Sequence, residues 1–301
     1  MKIAFIATGD IAIPTFQHLI ETDRKPSILI TQPDKPVGRS QSKTVPPKIK
    51  TLAETHGIEV SQPEKIGEIA DDLRSLGVDL AVVMAYGQII GKSVREAPAQ
   101  AIINLHASIL PKYRGASCIQ AAIANGDEET GITIMHVIRE LDAGDIISKK
   151  TIPIGKKETA GLLHDRLAQL GPEALDEALE ILEKDSSFGI PQNPNEVSHA
   201  PKLLRKDGHL DVSNSPVELE RRIRAYDPWP GTFLEIPIKG KSKRLKIFPP
   251  TFPRTKPVPP GEIQVVEDEL LLGCSEGALA LQEVQVEGSK RITAAAFKNS
   301  L

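Results

Sequence analysis

Short apolar segments alternate with amphipathic segments along the first two thirds of this chain. The apolar segments are nearly continuous in Ile, Val and Ala, and they read KIAFIA, SILIT, VDLAVVMA, AIINLH and GITIMHVI. Between them lie IPTFQHLIET, PPKIKTLAETHG, EKIGEIADDLRSLG and GASCIQAAIANG, where apolar residues recur at helical spacing. Strands that are apolar on both faces and separated by helices predict an α/β domain with a parallel sheet and right-handed crossovers.

The pattern changes after a long amphipathic stretch, ETAGLLHDRLAQLGPEALDEALEILEK. The residues that follow are rich in Gly, Pro, Ser and Asn, which is typical of a linker. One further helix, SPVELERRIRAYDPWPG, precedes several short strands at about ten-residue spacing, and this arrangement favours a small barrel. We therefore predict an α/β domain at residues 1–187, a linker at 188–204 and a barrel domain at 205–301.

Composition narrows the class of protein. The chain has 301 residues, of which 40% are hydrophobic and 26% charged, so two domains can each bury a core. Two cysteines cannot build a disulfide framework, and no apolar run approaches the roughly 18 residues of a membrane helix. We interpret the N-terminus as a first strand rather than a signal peptide, and we predict a cytoplasmic protein.

Charge is unevenly distributed. Residues 1–198 hold 21 Lys and Arg against 27 Asp and Glu, and residues 199–301 hold 16 against 13. The first part is therefore −6 and the second +3, within a net charge of −3. Such asymmetry is a weak indication of a polyanionic partner for the second part.

Several common cofactor motifs do not occur. The first strand is followed by ATGDIAIP, with a single glycine, so no dinucleotide-binding glycine motif is present, and no phosphate-binding P-loop motif occurs. The seven histidines are scattered without ligand spacing, so we predict no metal centre.

Candidate chemistry lies where the strand AIINLH ends. Asn104 and His106 are two residues apart, so on a strand their side chains point to the same side. An amide donor beside an imidazole suits stabilisation of an oxyanion on a tetrahedral carbon. The same pattern also fits a structural histidine beside a strand-ending asparagine, and the spacing alone leaves both interpretations open.

A carboxylate follows the next predicted strand. Asp142 stands in LDAGDII after GITIMHVI, and we expect it to lie over the same edge of the sheet as the Asn-His pair. There it would accept a proton or orient the histidine, although an Asp in a Gly-containing turn is more commonly a turn residue.

Two basic stretches complete the candidates. QPDKPVGRSQSKTVPPK is a Pro- and Gly-rich loop with Lys35, Arg39 and Lys43. Residues 236–256 contain seven Lys or Arg and no acid, although alternating lysines on a strand are often only a solvated face.

Taken together, these residues resemble the methionyl-tRNA formyltransferase family. The resemblance runs nearly end to end through TQPDKPVGR, VVMAYGQIIGKSV, INLHASILPKYRGASCIQAAIANGDEETGITIM, LDAGDII and LERRIRAYDPWPG. It implies a Rossmann-like parallel-sheet formyltransferase domain followed by a small OB-like barrel domain. The sequence departs from the family's pattern at the ATGD turn, at Ser117-Cys118 and at Val212.

The resemblance also implies substrates and roles. The donor would be 10-formyltetrahydrofolate, and the acceptor the α-amine of methionine on initiator methionyl-tRNA. The implied catalytic group is Asn104, His106 and Asp142. The implied folate-site residues are Ser108, Ile109, Leu110 and Pro111. The implied tRNA contacts are Lys35, Arg39, Lys43, Lys241, Lys243 and Arg244. The resemblance also implies that the protein is a monomer.

Three alternatives compete with this interpretation. A formyltransferase of the same fold that acts on a nucleotide amino sugar would share the Asn-His-Asp group. Hydrolysis of the formyl donor would use the same residues with water as acceptor. A non-catalytic RNA-binding protein would bind tRNA without consuming donor.

Overall fold

The chain folds into two compact units. The structure is a computed structural model, and it describes residues 1–37, 43–238 and 240–298. Unit 1 comprises Met1–Gly115, Thr130–Ile152 and His164–His199. Unit 2 comprises Ala116–Glu129, Pro153–Leu163 and Ala200–Leu301. The boundaries predicted at 187 and 204 stay a prediction, and the units differ from them in that two earlier segments belong to the second unit.

Unit 1 is built on a seven-stranded sheet in the order β5-β2-β1-β6-β7-β8-β9, with a separate hairpin of β3 and β4. Its strands are β1 (Ile3–Ala7), β2 (Ile28–Ile30), β3 (Lys35–Val37), β4 (Lys43–Val45), β5 (Glu59–Ser61), β6 (Leu80–Met84), β7 (Ala101–His106), β8 (Glu129–His136) and β9 (Ile146–Pro153). Strands β1 and β6 are buried at every position, because helices cover both faces of the sheet.

The direction of the strands agrees with the sequence for part of the sheet. β5, β2, β1, β6 and β7 pair in parallel, as predicted. β8 instead pairs antiparallel with β7, and His106 lies opposite Thr133. The predicted parallel-sheet domain is confirmed, and β8 departs from it, since an apolar run carries no information about the direction in which a strand enters a sheet.

The helices begin and end where local chemistry permits. They are α1 (Ile13–Glu21), α2 (Lys48–Thr55), α3 (Ala70–Ser75), α4 (Lys92–Arg95), α5 (Cys118–Asn125), α6 (Ala160–Lys184), α7 (Pro216–Ala225) and α8 (Ala294–Lys298). Ser215 and Glu218 form a capping box at the start of α7. Gly126, at φ +75°, ends α5 in the left-handed conformation that glycine adopts without strain. Within the described ranges, no helix is long and apolar enough to cross a membrane.

Unit 2 contains an antiparallel sheet in the order β10-β11-β14-β13-β12, with β15 beside β14. Its strands are β10 (Thr232–Ile238), β11 (Lys241–Arg254), β12 (Ile263–Val266), β13 (Glu269–Gly273), β14 (Ala278–Val286) and β15 (Ile292–Thr293). The register of β11 shifts between Phe248 and Thr251, which bends this long strand. Inward residues of four strands join α7 and α8 in one core, which includes Leu219, Leu245 and Leu281. The predicted second β domain is confirmed.

Candidate active site

Asn104 and His106 lie on one face of β7, near its carboxyl end. Asn104 is opposite Met135 of β8, and His106 is opposite Thr133. Asn104 is half-buried, and among the residues that the structure describes no hydrogen bond engages its side-chain amide. The amide is therefore a donor that remains available to a ligand.

His106 is held on both sides. The residue is 7% exposed, and its Nε2 lies 2.9 Å from the backbone oxygen of Tyr113. Because a carbonyl oxygen only accepts, Nε2 carries the proton in this contact. Nδ1 faces Oδ2 of Asp142 at 3.6 Å, which is beyond hydrogen-bond distance but close enough for strong electrostatic attraction when the ring is charged.

The loop between β8 and β9 carries Asp142 to this histidine. The side chain of Asp142 is 9% exposed, and its Oδ2 accepts a hydrogen bond of 2.8 Å from the amide of Gly115. Asp142 has φ +52°, a conformation that Asp tolerates better than most residues. The Asn-His-Asp residues predicted as a group are thus brought together.

The reason for the contact differs from the one the sequence suggested. Because β8 runs antiparallel to β7, its last residue, His136, lies opposite Ile103 and not beside the carboxyl end of β7. The loop of residues 137–145 therefore brings Asp142 to His106, and a common strand edge does not.

The predicted folate-site turn follows His106 directly. Ser108 and Leu110 are fully buried, and Pro111 is buried as well. The Ser108 hydroxyl donates to the carbonyl of Lys112 at 2.7 Å, so this side chain supports the turn rather than facing outward. Ile109 alone among the four is half-buried. The role of the turn in donor binding stays a prediction, and among the four side chains that of Ile109 is the one that a ligand can reach.

Thr133 fixes this turn from the neighbouring strand. It is fully buried, its hydroxyl donates to the carbonyl of Ser108 at 2.6 Å, and it accepts from the amide of Leu110 at 3.1 Å. Thr133 was not among the residues predicted from the sequence, because a threonine within a β-branched run carries no distinguishing pattern.

Residues of the predicted linker also reach the site. Ser198 accepts at its hydroxyl from the amide of Tyr113 at 2.9 Å, and its carbonyl accepts from the amide of Arg114 at 2.9 Å. The backbone that holds His106 and Asp142 is therefore held in turn by the segment at 188–199. A Ser- and Asn-rich composition gave no indication of this.

The end of β6 shows backbone conformations that are uncommon for non-glycine residues. Ala85 has φ +48°, and its carbonyl accepts from the amide of Gly9 at 3.0 Å, which fixes the atypical ATGD turn against β6.

Among the residues described, the hydroxyl of buried Tyr86 has no hydrogen-bond partner, and burial raises the pKa of Tyr86 to about 12.

The other two departures from the family's pattern are accommodated locally. Ser117 is buried, and its hydroxyl accepts from the amide of Leu203 at 3.2 Å. Val212 packs against the core of unit 2.

The first basic loop is partly a hairpin. Lys35 lies in β3 opposite Val45 of β4 and is exposed. Lys43 begins β4, and Arg39 lies outside the described residues. Nearby Lys50 bonds to Asp34 at 3.0 Å; a hydrogen bond from Gln62 and this lysine hold the pKa of Asp34 below its usual value.

The second basic stretch divides into free and paired cations. Lys241 is exposed and Lys243 half-buried, and within the described part of the chain neither forms an ion pair. Arg244 lies 4.0 Å above the ring of Phe233 and 3.4 Å from Glu235.

The far end of the same stretch is engaged within the unit. Arg254 bonds to Glu269 at 2.6 Å, and Lys256 pairs with Glu267. The described cations of this stretch are therefore not one continuous surface, because pairing with acids from β13 and the turn before it neutralises Arg254 and Lys256.

No group of His, Cys, Asp and Glu in the described ranges is placed to hold a metal ion.

The fold and the site define a two-domain formyl transferase. Residues 1–179 match the formyl transferase family, and residues 202–301 match the C-terminal domain of formyl transferases. A methionyl-tRNA formyltransferase of Akkermansia muciniphila is 46% identical over 297 residues, which cover 97% of this chain and 94% of that protein. One from Geobacter sulfurreducens is 40% identical over 301 residues, covering 99% and 93%. The chain belongs to the methionyl-tRNA formyltransferase family.

Solved structures show the same fold at lower identity. The N-formyltransferase of Helicobacter canadensis, in complex with folinic acid and dTDP-3-aminofucose, has a TM-score of 0.68 at 17% identity and covers 97% of this chain and 100% of that chain. HypX of Aquifex aeolicus with tetrahydrofolic acid has a TM-score of 0.62 at 19% identity and covers 99% of this chain. This chain spans only 46% of HypX.

Proposed function

We propose that this protein transfers the formyl group of 10-formyltetrahydrofolate to the α-amine of methionine on initiator methionyl-tRNA. The observation that carries the proposal is the amide of Asn104, which no hydrogen bond from the described residues engages, on the same strand face as the buried His106–Asp142 pair. The curated relatives, similar over nearly the whole chain, support this choice of acceptor. Translation initiation would place the protein in the cytoplasm, and we propose that it acts as a monomer.

The reaction needs no covalent intermediate on the protein. An α-amine has a pKa of about 7.7 to 8.0, so a useful fraction is neutral and nucleophilic near pH 7. The amine attacks the formyl carbon, and a negative charge develops on the formyl oxygen. The Asn104 amide donates to that oxygen, in the role of an oxyanion-hole donor.

His106 and Asp142 take part in the proton transfers of the reaction. Attack leaves the former amine with an extra proton, and the folate nitrogen needs one when its bond to the formyl carbon breaks. A charged His106, stabilised by the carboxylate of Asp142 at 3.6 Å, supplies the leaving nitrogen with a proton from Nδ1, since Nε2 donates to the Tyr113 carbonyl. The proton from the amine returns the pair to its starting state, so atoms and charges balance.

The tRNA phosphates would meet the free cations of unit 2. Lys241 and Lys243 lie at the start of β11 without a protein partner in the described residues, and Arg244 presents its charge beside the ring of Phe233. We propose these three residues, with Lys35, Arg39 and Lys43 of the first basic loop, as tRNA contacts. Phosphate contacts of this kind weaken as salt rises, because binding releases counterions.

The decisive experiment measures formyl-methionyl-tRNA formed from 10-formyltetrahydrofolate and methionyl initiator tRNA. We expect turnover by the wild type and a loss of about 10²- to 10³-fold in kcat for Asn104→Ala, the usual effect of removing one oxyanion donor. His106→Ala should lose at least as much. A matched control is His56→Ala, because His56 is an exposed histidine at the C-terminal end of α2, before β5 begins.

Each competing function has its own outcome. Donor consumption without tRNA indicates hydrolysis, and tight tRNA binding with no consumption indicates a binding protein. Turnover with a nucleotide amino sugar but not with methionyl-tRNA would replace the proposed acceptor. The Helicobacter canadensis neighbour, whose complex holds dTDP-3-aminofucose, makes that substrate class worth including, although the likeness at 17% identity shows the fold alone.

The tRNA surface has a separate test. Lys241→Ala with Lys243→Ala should reduce the slope of log Kd against log salt by about one unit for each phosphate that the protein no longer neutralises. Lys256→Ala is the control, because Lys256 is paired with Glu267. An unchanged slope in the double variant would exclude these two lysines from the interface.

A further inference from the structure

One side chain from the predicted linker bonds to both backbone segments around His106. Gln192 is half-buried, and its Nε2 donates to the carbonyls of Asp142 and Gly144 at 2.9 Å each. Its Oε1 accepts from Arg114, at 3.0 Å from Nε and 2.7 Å from Nη2. Four hydrogen bonds with nitrogen and oxygen partners thus meet on a single amide, and Nε2 also lies 3.9 Å from Sδ of Met135.

The chemistry of the partners fixes the orientation of this amide. A guanidinium only donates and a backbone carbonyl only accepts, so the oxygen must face Arg114 and the nitrogen must face the Asp142 loop. A glutamate of the same length would keep the acceptor for Arg114 but would present an oxygen to two carbonyls. Gln192→Glu is therefore a nearly isosteric change that breaks one side of the bridge and keeps the other.

The two bridged segments are those that hold the reacting histidine. The segment of Arg114 also supplies the Tyr113 carbonyl, which accepts from His106, and the Gly115 amide, which donates to Asp142. The loop of residues 137–145 supplies the Asp142 carboxylate that faces Nδ1 of His106. A shift of one segment against the other would change the separation between carboxylate and imidazole directly.

We propose that Gln192 is a positioning residue for formyl transfer: it sets the distance between Asp142 and His106 by fixing the Asp142 loop to the segment of residues 113–115. It contacts no reacting atom in this scheme. Misplacement of a catalytic group by about 1 Å is enough to reduce a rate by about 10²-fold.

Steady-state kinetics on three variants test the proposal. Gln192→Glu should lower kcat by about 10- to 100-fold with KM for methionyl-tRNA within about twofold, since the substrate contacts are untouched. Gln192→Ala should behave similarly. Asn193→Ala is the matched control, because the Asn193 side chain bonds, among the residues described, to its linker neighbours Asn195 and Glu196, and it should retain wild-type kcat.

A double-mutant cycle separates positioning from a general loss of structure. If Gln192 acts through Asp142, then Gln192→Glu in an Asp142→Asn background should lower the single-turnover rate by less than about twofold, because the charge it positions is already gone. Multiplicative losses would overturn the proposal, as would wild-type kcat in Gln192→Glu.

The kinetic arm rests on the proposed function, so hydrogen exchange of the ligand-free protein supplies an arm that does not. Peptides that contain residues 113–117 and 141–145 should exchange faster in Gln192→Glu than in the wild type and in Asn193→Ala. Unchanged exchange would overturn the bridge. Faster exchange in a protein that shows no formyl transfer would leave the bridge standing and count against the proposed function instead.

Discussion

The substitution Asp142→Asn tests how much of the reaction depends on one negative charge. Asparagine keeps the size of the side chain and an oxygen that can accept from the amide of Gly115, now at 2.8 Å from the carboxylate. What it removes is the charge that faces Nδ1 of His106 at 3.6 Å. The fold should therefore survive while the electrostatic partner of the imidazole is lost.

The size of the effect follows from this separation. With an effective dielectric constant of about 20, two unit charges at this distance interact by about 5 kcal/mol. One decade in rate corresponds to about 1.36 kcal/mol, so the full interaction amounts to about three decades. Because the ring holds only part of its charge in the transition state, as its proton passes to the leaving nitrogen, we expect kcat to fall by about 10²- to 10³-fold.

The assay is single-turnover formylation of methionyl-tRNA at saturating donor, with thermal unfolding followed in parallel. Glu140→Gln is the control, since Glu140 is an exposed carboxylate in the same loop. A rate for Asp142→Asn within threefold of the wild type, with an unchanged melting temperature, would refute the electrostatic role of this carboxylate.

Three further substitutions probe the fold. Thr133→Val leaves one buried carbonyl and one buried amide without their partner, so urea unfolding should show a loss of about 2 to 4 kcal/mol, and Thr133→Ser should lose less. Burial raises the pKa of Asp227, so the folded state holds this proton more tightly than the unfolded state does. The stability of the fold therefore falls as the pH rises from about 4 through the raised pKa. Asp227→Asn should raise the melting temperature at pH 7 but not at pH 3. Gly171→Ala should destabilise α6 although alanine favours helices, because a Cβ there would lie 2.2 Å from the hydroxyl of Thr15, and a Thr15→Ala background should remove the loss. If Gly171→Ala lowers the melting temperature by the same amount in the wild-type and Thr15→Ala backgrounds, this contact is not the cause.

The sequence identified the parts of the site that lie in side chains. Asn104 and His106 follow from strand periodicity, because alternation alone puts both on one face of β7. The alternation of strands and helices likewise predicted the first domain, since both faces of its central strands are buried. Asp142 was expected from its place after the next predicted strand, although the loop of residues 137–145, and not a shared strand edge, brings it to His106.

The sequence was uninformative about the features that depend on backbone atoms or on ion pairs between distant residues. The Tyr113 carbonyl and the Gly115 amide act through groups that every residue carries, so no residue type marks them. Arg254 and Lys256 looked like part of a cationic surface until their pairing with acids far along the chain was visible. The direction of β8 could not be predicted either, because the hydrophobic pattern of a strand is the same whether it pairs parallel or antiparallel.

The hydrogen bonds of residues 192–198 have a consequence for the order in which the protein matures. All strands of the first sheet have been synthesised once the ribosome reaches residue 153, whereas Gln192 and Ser198 are synthesised some forty residues later. Until then a nascent chain can hold the sheet but not the backbone around His106 in its final form. A fragment that stops at residue 187 would lack the same contacts, so an excised first domain should extend to residue 199 if it is to report on catalysis.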